Sequence, residues 1–407
     1  MGIIDNIHSG KLIFNESDFI LMKIDFLGNL LLKENTLLDN NAVTIYYGIT
    51  GEIKINIDIK TEINTTTTDN QFVHYKIIGE DIEYLYSIDN CFFLSSSFII
   101  ENGNRFHRYS GKIAGELIIT DRNNNELTLI VCDCIGSNIP CFYDSISIKK
   151  TEIFIQQNRN YQNNREFIDH VFKNILGTTF QYKPILPINS AIENKLYYTV
   201  ELLFTFLFGH NFGISIIKYI NINSIIKYII RDKYSLYNGS HFILNDDINK
   251  IRELVEKTNI IDFLGKDYFR ETINSLARLH NETDLNIKWA ILIMAMERFL
   301  LHILIENGKN KSELESTNVL QKIGMYKRIL YSTTGKSIPK NYNDDILREN
   351  YRNALFHSGD INGTNIYDIY YFFIKYLDFF YQLILNYVGY NDQIILMSNN
   401  YKFGKLF

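Results

Sequence analysis

Polar and apolar residues alternate through much of the first third of the chain. The clearest case is Glu52-Ile53-Lys54-Ile55-Asn56-Ile57-Asp58-Ile59, a strict period of two that follows Val43-Thr44-Ile45-Tyr46-Tyr47 across Gly51. That pattern predicts strands with one buried face. Further strands are expected over 11–15, 18–23, 73–78, 92–100, 111–120 and 126–134, punctuated by Asn and Gly. Short strands at this spacing imply an antiparallel sandwich or barrel. From about residue 165 the pattern changes. The apolar runs over 191–208 and 215–232 are too long for single strands and read as helices, joined to the β region through Lys183-Pro184-Ile185-Leu186-Pro187. Residues 233–246, a cluster of Tyr, Asn, Gly and Asp, read as a linker.

The rest of the chain has helical periodicity over 247–258, 266–282, 285–306, 313–331, 344–357 and 366–389, with Asn307-Gly308 and Ser358-Gly359 as stop signals. Helices joined by short loops predict an antiparallel bundle. The expected fold class is therefore α+β. A β-rich, sandwich-like domain occupies 1–150, a mainly helical continuation and linker 151–245, and a helical domain 246–407.

Composition adds bounds. The 407 residues suffice for two or three cores, and 46% hydrophobic with 21% charged residues is ordinary for a folded protein. The apolar stretches 199–220, 285–305 and 366–390 are each interrupted by charges, such as Glu201, Lys288, Glu297, Arg298, Lys375 and Asp378, which argues against membrane spans. The first residues lack the pattern of a secretory signal or a myristoylation site, so a cytoplasmic location is expected. Cys132 and Cys134 stand two apart in a strand-like run, with Cys91 and Cys141 elsewhere. No recognised zinc spacing results, and buried reduced thiols are the better reading. No metal or cofactor is expected.

The net charge of −5 excludes an electrostatic sponge for nucleic acid, yet the charge is uneven. Residues 250–407 hold 20 Lys+Arg against 18 Asp+Glu, and 321–343 contain Lys322, Lys327, Arg328, Lys336 and Lys340 with no acid. Such a run is either a landing site for phosphates or a solvated face.

Candidate chemistry lies just beyond it, in Arg348-Glu349-Asn350-Tyr351-Arg352-Asn353-Ala354-Leu355-Phe356-His357-Ser358-Gly359. Arg, four residues, His is by itself a weak pattern. Chance supplies about one such pair in a chain of this size, and Arg165-Glu166-Phe167-Ile168-Asp169-His170 is a second. Arg and His near a helix end also serve as plain C-terminal caps. Context distinguishes the two pairs. The stretch 348–359, with the helices around it over roughly 250–390, resembles the signature of HEPN domains. The order of a β-rich region and then such a domain is similar to ApeA-type antiphage proteins, as is the apolar stretch around 191–220.

That resemblance implies a metal-independent endoribonuclease acting in antiphage defence (abortive infection). Arg352 and His357 would be catalytic, and RNA, with transfer RNA as one option, would be the substrate. It also implies pairing of two motifs in one cleft, and with one convincing motif per chain the expectation is a homodimer through the helical domain. The β-rich region would sense a phage-derived trigger or restrain the nuclease.

The residue types suit the reaction. Histidine exchanges protons near neutral pH, and arginine stays charged and grips two phosphate oxygens with its planar fork. On a regular helix Arg352 and His357 stand about 140° apart, so one copy does not readily aim both at one phosphate. Asn353, four before His357, shares its face and is a candidate to orient the imidazole or a phosphate. Arg348, Lys336, Lys340, Lys327 and Arg328 are candidate RNA contacts, and Glu297, inside an apolar helix, a structural support. Thr334-Gly335-Lys336-Ser337 lacks the earlier Gly of a phosphate-binding loop, since Leu330 stands there. The Tyr and Phe residues from Tyr367 to Tyr381 read as core or interface sooner than as base-stacking groups. The competing function is a non-catalytic binding protein with a helical dimerisation bundle and a β-rich ligand-binding domain. A third is a nucleotide-transfer target or toxin controlled by a partner.

Overall fold

The structure is a computed structural model. It describes residues 13–15, 18–32, 35–48, 53–60, 74–80, 84–101, 103–121, 129–135, 143–148, 151–158, 177–183, 193–209, 212–220, 225–231, 244, 247–334, 366–390, 392, 394–399 and 402–404. The chain is α+β, with strands first and helices after. It divides into two compact units, one of residues 1–145, 149–197 and 213–236, the other of 146–148, 198–212 and 237–407.

The first unit is built on antiparallel strands: β1 (Ile13–Asn15), β2 (Asp18–Leu32), β3 (Asn35–Gly48), β4 (Ile53–Ile59), β5 (Tyr75–Glu80), β6 (Tyr84–Glu101), β7 (Asn104–Ile113), β8 (Glu116–Asp121), β9 (Leu129–Ile135), β10 (Tyr143–Ile148), β11 (Thr151–Asn158) and β12 (Gly177–Tyr182). After helix α1 (Glu193–Phe208) come β13 (Ile216–Ile220) and β14 (Ile225–Arg231). All fourteen belong to one hydrogen-bonded sheet rather than to the two stacked sheets of a sandwich. Six of them close on themselves. β2 pairs with β3, β3 with β4, β4 with β7, β7 with β6, β6 with β5, and β5 returns to β2.

The period-two pattern read in the sequence fills this ring. Ile53, Ile55, Ile57 and Ile59 are all buried, while Lys54, Asn56 and Asp58 look outward. On the outer face Asp58 takes a two-pronged grip from Arg108 of β7, with both contacts at 2.7 Å. Phe26 stacks on Tyr86 with ring centroids 4.4 Å apart. Where strands approach closely the sequence supplies glycine. A Cβ on Gly111 would stand 1.9 Å from the Phe92 carbonyl oxygen.

β6, which pairs with both β7 and β8, joins the ring to the rest of the sheet. β7 and β8 run along β6 as one strand interrupted at Ala114-Gly115, where the Ala114 N–H still reaches the Asn90 carbonyl at 2.8 Å. From β8 the order continues β14-β13-β9-β12-β11-β10. The 215–232 segment, expected as a helix, is thus the hairpin of β13 and β14. Its run is rich in β-branched isoleucine, which favours a pleated surface. The polar Asn221-Ile222-Asn223-Ser224 breaks it where a helix would have to continue.

The second unit is helical: α2 (Ile248–Lys257), α3 (Ile260–Leu264), α4 (Asp267–Asn281), α5 (Leu285–Glu306), α6 (Lys311–Glu315), α7 (Val319–Thr334) and α8 (Ile366–Val388). A C-terminal hairpin, β15 (Ile394–Leu396) and β16 (Lys402–Gly404), follows. α5 has the predicted bounds. Asp284 caps it by accepting the Asn286 and Ile287 N–H groups, and Gly308 turns the chain out at φ +80°. The helix expected over 313–331 is two, α6 and α7.

α4 and α5 form an antiparallel pair, with Tyr268 stacked on His302 and the Phe269 ring tilted against Phe299. α8 runs in the same direction as α5, since Trp289 meets Phe373 and Tyr376 while Phe299 meets Phe380 and Tyr387. The long connection from 307 to 365 lets the chain return to the same end, so the bundle departs from strict antiparallel order. Residues 198–212 pack here too. Gly209 ends α1 at φ +70°, so close to His280 that a Cβ would lie 2.6 Å from its Nε2, and Phe206 meets Tyr381.

Candidate functional site

The segment that carries the candidate chemistry joins α7, which ends at Thr334, to α8, which begins at Ile366. Arg348, Arg352, Asn353, His357, Lys336 and Lys340 lie outside the described residues, as do the expected helix over 344–357 and the second pair, Arg165 and His170. What the structure does describe is the frame that holds both ends of the segment.

α7 is fixed to α8 by Tyr326, whose ring is buried and whose hydroxyl donates to the Leu383 carbonyl at 3.0 Å. Burial among apolar groups raises the Tyr326 hydroxyl pKa, so it stays a donor at every working pH. On the same helix Lys327 is half-buried and Arg328 exposed. Lys322 is different. It is buried, and its Nζ donates to the Thr317 carbonyl at 2.8 Å, so this member of the basic run braces the turn before α7. Glu297 is half-buried on α5, beside Arg298, which pairs with Glu271 of α4 at 2.7 Å.

The aromatic run of α8 divides by face. Phe373, Tyr376, Phe379, Phe380 and Tyr381 are core, as expected from their spacing. Tyr367, Tyr370 and Tyr371, in the first turns, are exposed, and the Lys375 ammonium lies 4.5 Å from the centre of the Tyr371 ring. The first turns of α8 therefore offer flat aromatic surface with a cation beside it, directly after the candidate segment.

Sequence reading missed the polar hub at the other end of α5. Glu306 accepts from Lys266 Nζ at 2.8 and 2.9 Å, from the Tyr268 hydroxyl at 2.9 Å and from the Tyr387 hydroxyl at 3.1 Å. Partial burial works to raise its pKa, but the hydrogen bonds from Lys266, Tyr268 and Tyr387 and the Lys266 charge outweigh it and hold the carboxyl below the usual range. Burial first, and then the Glu306 charge, push Tyr387 up to about 12. No spacing rule joins residues 266, 268, 306 and 387, so the hub had no signature in the sequence. Asp378 is a second such case: buried on α8, it accepts the N–H groups of Met397 and Ser398 at 3.0 and 2.7 Å and so fastens the C-terminal hairpin.

Cys91 and Cys132 are buried thiols of the sheet, and burial pushes Cys91 up to about 12. That makes it a poor nucleophile or ligand. Among the described residues no group of three or more His, Cys, Asp or Glu could hold a metal ion, and no helix is long and apolar enough to cross a membrane. No known protein family, curated protein or solved structure matches the chain.

Proposed function

We propose that the protein is a HEPN-type, metal-independent RNA endonuclease of antiphage defence, acting as a homodimer in the cytoplasm. One observation carries this reading: the run Arg348–Gly359, with Arg352, Asn353 and His357 at the end of a predicted helix, in a chain segment flanked by the bundle helices α7 and α8. The division into a β-rich and a helical unit, the cations Lys327 and Arg328 on α7, and the exposed tyrosines opening α8 support it.

In the proposed reaction the 2′-OH of the substrate attacks the adjacent phosphorus and the bond to the 5′-oxygen breaks. His357 takes the 2′ proton, and a proton is returned to the leaving 5′-oxygen. Arg352 holds the phosphate oxygens, where negative charge grows. The products are a 2′,3′-cyclic phosphate and a 5′-OH end. Asn353 orients the imidazole or a phosphate, while Arg348, Lys336, Lys340, Lys327 and Arg328 draw in the RNA backbone. Two chains are proposed because on a regular helix one copy does not readily aim both catalytic groups at one phosphate. The β-rich unit restrains the nuclease until a phage-derived trigger arrives, and transfer RNA is the first substrate to try.

The test is to sequence RNA 3′ ends in cells challenged with phage. Wild-type protein should produce cyclic-phosphate ends, and His357→Ala or Arg352→Ala should reduce them by at least about 100-fold, the usual weight of a general acid–base or an oxyanion-stabilising group. Ends that do not depend on either residue would leave the non-catalytic binding protein as the better reading.

A further inference from the structure

The ammonium of Lys266 is enclosed on more than one side. Glu306 accepts from it with both oxygens, at 2.8 and 2.9 Å. The Phe263 ring lies beside it, with Nζ 4.1 Å from the centroid, and the Tyr268 centroid is 5.8 Å away. A carboxylate and aromatic faces gathered around one point are the chemistry that recognises an alkylammonium ion, because the negative face of each ring attracts the charge. Two ring faces favour an organic cation over a hard metal ion, which takes oxygen ligands.

The walls of this cage do not depend on Lys266. Tyr268 is stacked on His302, with centroids 4.7 Å apart and the rings 6° from parallel. Phe263 packs against Phe269 and Tyr387, with centroids 5.8 and 4.9 Å away. Glu306 keeps the Tyr268 and Tyr387 hydroxyls as donors. The walls thus come from α3, the first turn of α4 and the C-terminal ends of α5 and α8. The Lys266 backbone is held separately, since its carbonyl accepts the Phe269 and Arg270 N–H groups, each at 3.1 Å. Its side chain has a flexible four-carbon stem, so it can turn outward while the helix start and the walls stay in place. The mouth is open to water, because the Lys266 and Glu306 side chains are 36% and 32% exposed.

We infer that Phe263, Tyr268 and Glu306, braced by Tyr387, form a binding site for an alkylammonium ion, methylated amines above all, and that Lys266 closes it from within the chain. A ligand enters by displacing the lysine. A tethered group competes at an effective concentration of about millimolar or more, so Lys266 sets a threshold below which the site stays shut. The site lies in the helical unit and does not depend on the nuclease reading.

Tetramethylammonium chloride is the probe. Sodium chloride at equal ionic strength and tert-butanol, a neutral molecule of similar shape, are the controls. Binding is read as the rise in melting temperature of the full-length protein with probe concentration. Lys266→Ala should bind tetramethylammonium and not tert-butanol. Wild type should bind it at least about 10-fold more weakly, as the tethered competitor requires. Adding Glu306→Gln to Lys266→Ala should abolish binding, and adding Phe263→Leu should weaken it about fivefold, the usual weight of one cation–π contact. Should Lys266→Ala fail to fold, Lys266→Gln, which keeps the stem and removes the charge, is read in the same way. No binding to the lysine variant, binding equal to that of wild type, or binding unmoved by Glu306→Gln or by Phe263→Leu overturns the inference.

Discussion

At the end of α5 Glu306 collects three donors, Lys266 just before α4, Tyr268 in its first turn and Tyr387 of α8, and its lowered pKa sets a direction for stability against pH. A depressed carboxyl contributes stability that is present above its unfolded pKa, about 4.3, and is lost as pH falls through the lower folded value. Glu306→Gln should therefore melt at a lower temperature than wild type near pH 7, and the gap should narrow steadily below about pH 4. A gap that is constant from pH 7 to pH 3 would deny the carboxylate that role. Tyr390 presents the opposite case. Its hydroxyl is buried with no hydrogen-bond partner among the described residues. Removing an unsatisfied hydroxyl relieves a cost of about 1 kcal/mol, so Tyr390→Phe should melt higher than wild type, and a lower melting temperature would show that the hydroxyl is satisfied.

Single elements show how local pattern and close approach combine. β4 alternates because one side faces the interior of the closed ring, and its isoleucines need no other explanation. The β6–β7 pair depends on Gly111, because any Cβ there would collide with the Phe92 backbone. Gly111→Ala is expected to cost about 2 kcal/mol or more, read as a lower denaturant midpoint. A midpoint equal to wild type would mean that the strands can separate without loss. Among the helices, α5 carried its own start and stop signals in Asp284 and Gly308, so its bounds were legible. The β13–β14 hairpin was not, because a run of isoleucines scores as buried in either geometry and only the Asn-rich break at 221–224 hinted at a turn.

For the whole molecule, the path of the chain matters more than the order of its elements. Residues 198–212 pack in the helical unit, the chain then returns to the sheet through β13 and β14, and it re-enters the helical unit at 237. A fragment of residues 246–407 therefore lacks α1 and the aromatic cluster of Phe204, Phe208 and Phe212, and leaves Tyr381 without Phe206. It should unfold at a clearly lower temperature than the full chain, and an equal melting temperature would show that α1 adds nothing to that core. At the same scale, if the proposed nuclease combines motifs from two subunits, coexpressed Arg352→Ala and His357→Ala chains should recover part of the RNA cleavage that either loses alone. Mixtures as inactive as their components would confine the chemistry to one chain.

The sequence by itself determined the α+β class, the alternating strands of the ring and most helix bounds, because periodicity and caps are local properties of a chain. Only the tertiary structure decided that the fourteen strands make one sheet with a closed ring, that α8 runs parallel to α5, that residues 198–212 join the helical core, and that Glu306 draws together Lys266, Tyr268 and Tyr387. Each of these joins residues far apart along the chain. Hydrophobic burial rewards any apolar partner, so the choice among partners rests on how the whole set of elements packs without voids or unsatisfied polar groups.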